Sequence, residues 1–295
     1  MIVTFLAPAI IIFCLIFLYP IIRTTVMSFF DVESVSGSIS TWKFIGIDNF
    51  TKLANTALFR TSMWNLFRIW LYGGVAVLAL ALLFAVILNS GIKAKKFYRA
   101  AIYMPNVISA VALAAMWMQY VFNVKYGLLT TFFTSIGWES LAQVQWTDAA
   151  HKFGAMLVAY CFGMVGYHML IFSSGIEKIP KDYFEASRID GAGHIRQFMH
   201  ITWPLLRGVL KTNITMWSIT SVCFFIWSQL FSAVTVDNQT ITPMVYLYLQ
   251  TFGAGNSVTE RNAGLGAAVG VIMGVIVVLV FIGVNKLIKN DDVEL

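Results

Sequence analysis

Few side chains in this sequence can do chemistry, and their positions limit what kind. His168 stands inside an apolar run, 153–176, that holds no Asp, Glu, Lys or Arg. An ionisable group in such a run is a functional candidate by default. With no carboxylate in the same run, hydrogen bonding suits it better than proton coupling. His151, His194 and His200 lie in polar segments without ligand spacing, so no metal site is expected. Cys14, Cys161 and Cys223 sit singly in apolar runs and read as buried packing residues rather than a disulfide framework. There is no GxxxxGK[ST] loop to cradle nucleotide phosphates. A lone histidine gives little support to an enzyme, which needs a paired nucleophile and base or a set of metal ligands.

The densest set of polar groups lies in segment 177–211, which carries ten charged residues. Pro180 and Asp182 predict a helix start, and Asp182 with Glu185 makes a capping-box-like pair three residues apart. Gly191 and Gly193 break that helix. Gly191 allows a positive φ at which a β-carbon is unfavourable. A second short helix is predicted through 195–201 towards Pro204. Tyr183, Phe184, Ile189, Phe198 and Ile201 supply apolar faces. A helix–glycine–helix of this kind reads either as a docking knob for a soluble partner or as an amphipathic segment lying on lipid.

The elements that position these groups follow from composition. Of 295 residues, 59% are hydrophobic and 12% charged, with mean hydropathy +0.77. A soluble domain carries roughly 25% charge. A water-soluble enzyme, a nucleic-acid-binding domain and a disordered chain are therefore excluded. Six stretches lack any Asp, Glu, Lys or Arg: 2–22, 69–92, 100–124, 153–176, 212–236 and 262–285. Each reaches the roughly 20 residues that a helix needs to cross a bilayer. None shows the strict alternation of a β-barrel. The expected fold is an all-α integral membrane protein, a single domain over 1–295. Its six transmembrane helices lie at about 2–30, 64–92, 100–124, 153–176, 212–236 and 262–288. The first run lacks a basic leader and a small-residue cleavage site, so it reads as a retained helix and not a signal peptide. The missing leader also suggests a true start upstream of Met1.

Basic residues set the orientation. Twelve fall in the loop 93–99, the segment 177–211 and the tail, against six in the loops 31–63, 125–152 and 237–261. Both termini and segment 177–211 are thus expected on the cytoplasmic side. The net charge of +6 is a topology signal more than a polyanion site. Loop 31–63 is expected along the membrane surface, and Trp138 and Trp146 suit an interfacial position. Gly266, Gly270 and Gly274, spaced by four, offer close helix approach, within the chain or to another subunit.

The string Tyr183-Phe184-Glu185-Ala186-Ser187-Arg188-Ile189-Asp190-Gly191-Ala192, continuing to Phe198, Ile201 and Pro204, resembles the EAA loop of ATP-binding-cassette importer permeases. Ser187 stands in for the third small residue, and Trp203 for the usual Leu before Pro204. Leu18-Tyr19-Pro20, the run 44–50, and 104–109 with Trp117 are similar to the carbohydrate-importer branch, of the maltose and glycerol-phosphate type. The chain departs from that branch at 235–240, where a T-x-GGP loop is common.

The resemblance implies a type I importer permease fold with a cytoplasmic coupling helix, in a bacterial or archaeal cytoplasmic membrane. Tyr183, Phe184, Glu185, Ala186, Ser187, Asp190, Gly191 and Ala192 would meet a separate ATPase, with Asp190 also suited to capping the following turn. This chain would bind no cofactor, and ATP and Mg would sit on the ATPase pair. Further partners would be a second, homologous permease subunit and an extracytoplasmic solute-binding protein. A sugar is held by aromatic faces and hydrogen-bonding side chains near the bilayer midplane. Candidates are Tyr160, Tyr167 and His168, then Trp217, Ser218, Ser221, Trp227 and Gln229, with Gln119 nearer the outer side; helix packing is the competing role for each. A self-contained secondary transporter would need buried acidic residues, which the six runs lack. A permease for a non-sugar solute fits the outer-loop motifs less well.

Overall fold

Long apolar runs in lipid must satisfy their own backbone groups, and helices do so. The computed structural model describes residues 2–232, 237–253 and 261–288, and their regular structure is helical apart from one two-stranded pair. The first elements are α1 (Ile2–Phe13, carried on by a π turn Cys14–Leu18 and by Tyr19–Met27), β1 (Phe30–Asp31), β2 (Lys43–Phe44), α2 (Asp48–Asn55) and α3 (Ala57–Asn89). Then come α4 (Lys95–Val107), α5 (Ala110–Val121), α6 (Leu128–Ser135), α7 (Glu139–Ala142) and α8 (Lys152–Glu177). They are followed by α9 (Lys181–Ile189) and α10 (His194–Gln197, extended by a π turn Phe198–Thr202 and by Trp203–Leu205). The last are α11 (Arg207–Val222), α12 (Ile226–Phe231), α13 (Pro243–Phe252) and α14 (Ala263–Leu287).

The chain divides into two compact units, 1–64 with 241–278, and 65–240 with 279–295. In the first, β1 and β2 pair antiparallel, Phe30 opposite Phe44. Asn49 is fully buried, and its Nδ2 donates to the Ser28 and Phe30 carbonyls, 2.9 Å each, fastening α2 to the strand. This gives a structural role to part of the 44–50 motif. At Gly264 a β-carbon would lie 2.1 Å from the Phe30 carbonyl oxygen, so only glycine admits that approach. The stripe at 266, 270 and 274 is uneven. Gly266 packs on Thr251 of α13, while a β-carbon at Gly274 meets nothing within 4 Å among the described residues.

In the second unit α8 is the central helix, with 61% of its most apolar stretch buried, whereas the most apolar stretch of α1 has no buried residue. Met156, Ala159, Met169 and Phe172 of α8 pack with Ile69, Val77 and Ala81 of α3. Small residues let α4 lie on α8. A β-carbon at Gly166 would come 2.4 Å from the Ile102 carbonyl oxygen, and Asn106 Nδ2 donates to the Gly163 carbonyl at 3.1 Å.

Two expected spans differ from straight helices. The run 100–124 is split into α4 and α5, bent by 98°. Pro105 has no N–H to donate and disfavours a regular turn around it. Ile108 and Ser109 then turn extended, and the helix restarts with Leu113 N–H on the Ser109 carbonyl. The run 212–236 becomes α11 and α12, interrupted at 223–225; its last residues, 233–236, lie outside the described residues, as does Lys289 of the basic tail. Four helices are long and apolar enough to cross a membrane, or five with the bent pair as one span, among the described residues. Cys223 also departs from expectation. It is exposed at the interruption, and Cys14 and Cys161 are only half-buried; all three are free thiols.

Candidate functional site

Segment 177–211 folds as two short helices set by local chemistry. Pro180 is extended and starts α9. No side chain caps that start, so the Asp182–Glu185 capping box does not form: the residue at the cap position is a proline, without a hydroxyl to bond the N3 amide. The other end closes as expected. Gly191 has φ +73°, Ala192 N–H bonds the Ser187 carbonyl at 2.8 Å, and Gly191 N–H bonds the Arg188 carbonyl at 3.0 Å. These are the two hydrogen bonds of a Schellman motif. No Asp190 side-chain bond to that turn forms among the described residues; Asp190 is the C-terminal cap residue through its backbone.

A residue absent from the sequence-level site fixes the angle between the two helices. Gln197 of α10 is buried, and its Nε2 donates to Ser187 Oγ at 2.8 Å and to the Phe184 carbonyl at 3.3 Å. Ser187 Oγ in turn donates to the Phe184 carbonyl at 2.9 Å. The departure from a third small apolar residue at 187 therefore supplies a hydroxyl that joins α9 to α10. The outer face is apolar and bare, with Ile189 88% and Ile195 83% exposed. Tyr183, Glu185, Ala186, Asp190 and Gly191 are exposed as well, while Phe184, Ser187 and Ala192 are half-buried. Behind α9 lies a cavity of about 460 Å³, whose lining includes Lys95, Glu177, Glu185, Arg188 and His194.

The solute candidates divide by exposure. Tyr160, His168, Trp217, Ser218, Ser221 and Trp227 are buried, Tyr167 and Gln229 half-buried, and Gln119 exposed. Trp217 Nε1 donates to the Trp70 carbonyl, and Trp70 Nε1 donates to Ser218 Oγ, 2.8 Å each. The Trp217 indole lies on the backbone of Gly73 and Gly74, where β-carbons would approach it to 2.8 and 2.6 Å. This reciprocal lock joins α11 to α3. Tyr160 sits edge-on to Phe224 and Trp227, with ring centres 4.7 and 5.8 Å away.

His168 Nδ1 meets Asn213 Oδ1 at 2.7 Å. Asn213 Nδ2 is committed to the Val209 carbonyl at 3.2 Å, which turns the amide oxygen to the ring and makes Nδ1 the donor. Among the described residues, His168 Nε2 and Ser221 Oγ are buried without a hydrogen-bond partner. Both are unmet polar groups in the interior.

At the opposite end of α8, Lys152 pairs with Asp237 at 2.7 Å, with side chains only 19% and 17% exposed. Asp237 Oδ1 also accepts the Gln239 N–H at 2.8 Å, and Asn65 Nδ2 donates to the Asn238 carbonyl. These bonds hold the part of the 235–240 loop that is described; Thr235 and Val236 lie outside the described residues. Burial pushes the Asp237 carboxyl up, but the Lys152 ammonium and the Gln239 amide outweigh it and hold it below the usual carboxylate value. With its folded-state pKa lowered, the pair's contribution is complete above the unfolded value and fades as pH falls through the folded one. Asp237→Asn is expected to lower the thermal midpoint by about 2–6 °C at pH 7. That gap should close once acidification passes below the lowered folded-state pKa of Asp237. A gap that persists there in a thermal-shift titration contradicts the assignment.

The family described as binding-protein-dependent transport system inner membrane component matches residues 77–290, most of the chain. Among curated proteins, the arabinooligosaccharides transport system permease protein AraP of Bacillus subtilis (strain 168) is 27% identical, over 94% of this chain and 84% of its own. The sulfoquinovosyl glycerol transport system permease protein SmoG of Agrobacterium fabrum (strain C58 / ATCC 33970) is 26% identical, over 98% and 91%. Among solved structures, one is a bacterial alginate ABC transporter in complex with an alginate pentasaccharide-bound periplasmic protein. It shares the fold with a TM-score of 0.80, at 19% identity, over 96% of this chain and 92% of that one. The helical fold agrees with the match over 77–290, and the chain belongs to the inner membrane components of binding-protein-dependent transport systems.

Proposed function

We propose that this chain is a permease subunit of an ATP-driven importer that moves a carbohydrate, or a related polyhydroxylated solute, delivered by an extracytoplasmic binding protein. The observation that carries the reading is the α9–α10 knob, with α9 closed by Gly191 and with Ile189 of α9 and Ile195 of α10 almost bare. Two large aliphatic side chains exposed to this degree on a polar segment call for a partner that covers them. The partner is a cytoplasmic ATPase. Tyr183, Phe184, Glu185, Ala186, Ser187, Asp190, Gly191 and Ala192 form the contact, and ATP and Mg belong to that subunit. The names of relatives such as AraP and SmoG support a glycan or glycoside as solute.

In this reading the bent pair α4–α5 and the interrupted pair α11–α12 each count as one span, which makes six. Both termini and α9 face the cytoplasm, in keeping with the distribution of Lys and Arg. A second permease subunit completes the pathway. Gln119, Tyr167 and Gln229, which keep exposed surface, contact the solute directly, while Tyr160, His168, Trp217, Ser218, Ser221 and Trp227 form the wall behind them. The test is solute uptake into proteoliposomes holding the complete transporter, with the ATPase, ATP and the binding protein withheld in turn. Each omission is expected to leave less than a tenth of the uptake, and uptake indifferent to them overturns the reading.

A further inference from the structure

Glu177 is the last residue of α8, and only three residues separate it from α9. This short link is the covalent path from α9 back to α8. The Glu177 carboxylate is not free: Oε1 accepts from Lys95 Nζ at 2.9 Å and from the Arg99 guanidinium. Lys95 and Arg99 are one helical turn apart on α4, so a single oxygen holds the first turn of that helix. Lys95 also donates to Asn89 Oδ1 at 2.6 Å, and Asn89 Nδ2 reaches Ser173 Oγ at 3.3 Å. The end of α3, the start of α4 and the end of α8 thus meet in one polar knot.

α4 is suited to move as a rod. Before it stand Gly91 at φ +90° and Ala94 at φ +61°, the latter in a left-handed conformation unfavourable for a residue with a β-carbon. After it come the extended Ile108 and Ser109 and the 98° bend into α5. Non-helical joints therefore flank it on both sides. Along its length α4 is held to α8 by the Gly166 contact and the Asn106 bond, and at its base by Glu177. The three charged side chains are a third to nearly half exposed, and ion pairs so exposed add little to folding stability. Folding stability alone therefore gives little account of why these groups meet.

We infer that Glu177 is a positioning residue that makes α4 follow α8 when α9 is displaced, and so delivers the movement to the bend between α4 and α5. The inference rests on the proposed docking of α9 to an ATPase. The test uses the complete transporter in proteoliposomes, purified through a tag on this chain. ATPase co-purification and solute uptake per ATP hydrolysed are measured for Glu177→Ala, for Lys95→Ala/Arg99→Ala, and for the three changes together. Co-purification is expected to stay within twofold of the unchanged protein, while uptake per ATP falls at least fivefold in each. The combined variant should be no worse than either alone, as for groups acting through one interaction. Unchanged uptake per ATP with the ATPase bound, or losses that multiply in the combined variant, overturns the role of Glu177 and leaves the docking of α9 intact. Loss of the ATPase from Glu177→Ala also overturns it, since the carboxylate would then serve docking.

Discussion

Gly191→Pro is expected to strip the ATPase from the transporter, cutting its recovery with this chain at least tenfold, while the chain still inserts and purifies. Three features combine to make the effect large. Gly191 holds φ +73°, whereas proline is fixed near −65°. Its N–H makes one of the two bonds closing α9, and proline has none to give. The next residue, Ala192, makes the other bond, so both closing interactions are lost together. Beyond its chain neighbours, no heavy atom of the described residues lies within 4 Å of where a β-carbon would stand, which leaves backbone conformation as the cause rather than crowding. Gly191→Ala should therefore be milder, with a left-handed penalty of about 1–2 kcal/mol and a partial loss of ATPase. Full recovery of the ATPase with Gly191→Pro would contradict the docking assignment.

The second large effect is expected at Gly166. A β-carbon there would sit 2.4 Å from the Ile102 carbonyl oxygen and 2.6 Å from Tyr103 Cα. Both are backbone atoms, which cannot swing aside as a side chain can. Glycine is otherwise a poor helix residue, by about 1 kcal/mol relative to alanine, so close packing is what the position gains from it. Gly166→Val should separate α4 from α8 at a cost of about 1–3 kcal/mol or more, lowering the thermal midpoint and the folded yield. Gly274→Val is the matched control, since nothing stands within 4 Å of that site. Equal midpoints for the two variants in detergent would contradict the packing described for α4 and α8.

Sequence reading reached furthest where structure is local. The α9 turn was legible because a glycine in a charged, non-apolar segment has one conformational use, and the Schellman bonds join residues three and five apart. The apolar runs were legible because the bilayer sets their length. Their shape was not. The run 100–124 reads as one span, whereas the helix breaks at Ile108 and Ser109, three residues after Pro105. The interruption at 223–225 contains neither proline nor glycine.

The polar groups that organise the site were the least legible. Glu177 meets Lys95 and Arg99 across 82 and 78 residues, and no periodicity reports pairings that distant. Gln197 carries no local signal in the sequence; its role follows from burial against Ser187 and Phe184. Trp217 drew notice as an aromatic residue in an apolar run. Its place on Gly73 and Gly74 makes it equally a helix-packing residue, and only a fold that brings α3 to α11 discloses that.

The most direct test of the central claim is uptake of labelled solute into proteoliposomes, comparing this chain alone with the complete assembly of both permease subunits, ATPase, ATP and loaded binding protein. Accumulation is expected with the complete assembly only, at least tenfold above the chain alone. Accumulation by the chain alone, driven by an ion gradient and indifferent to ATP, would contradict the account.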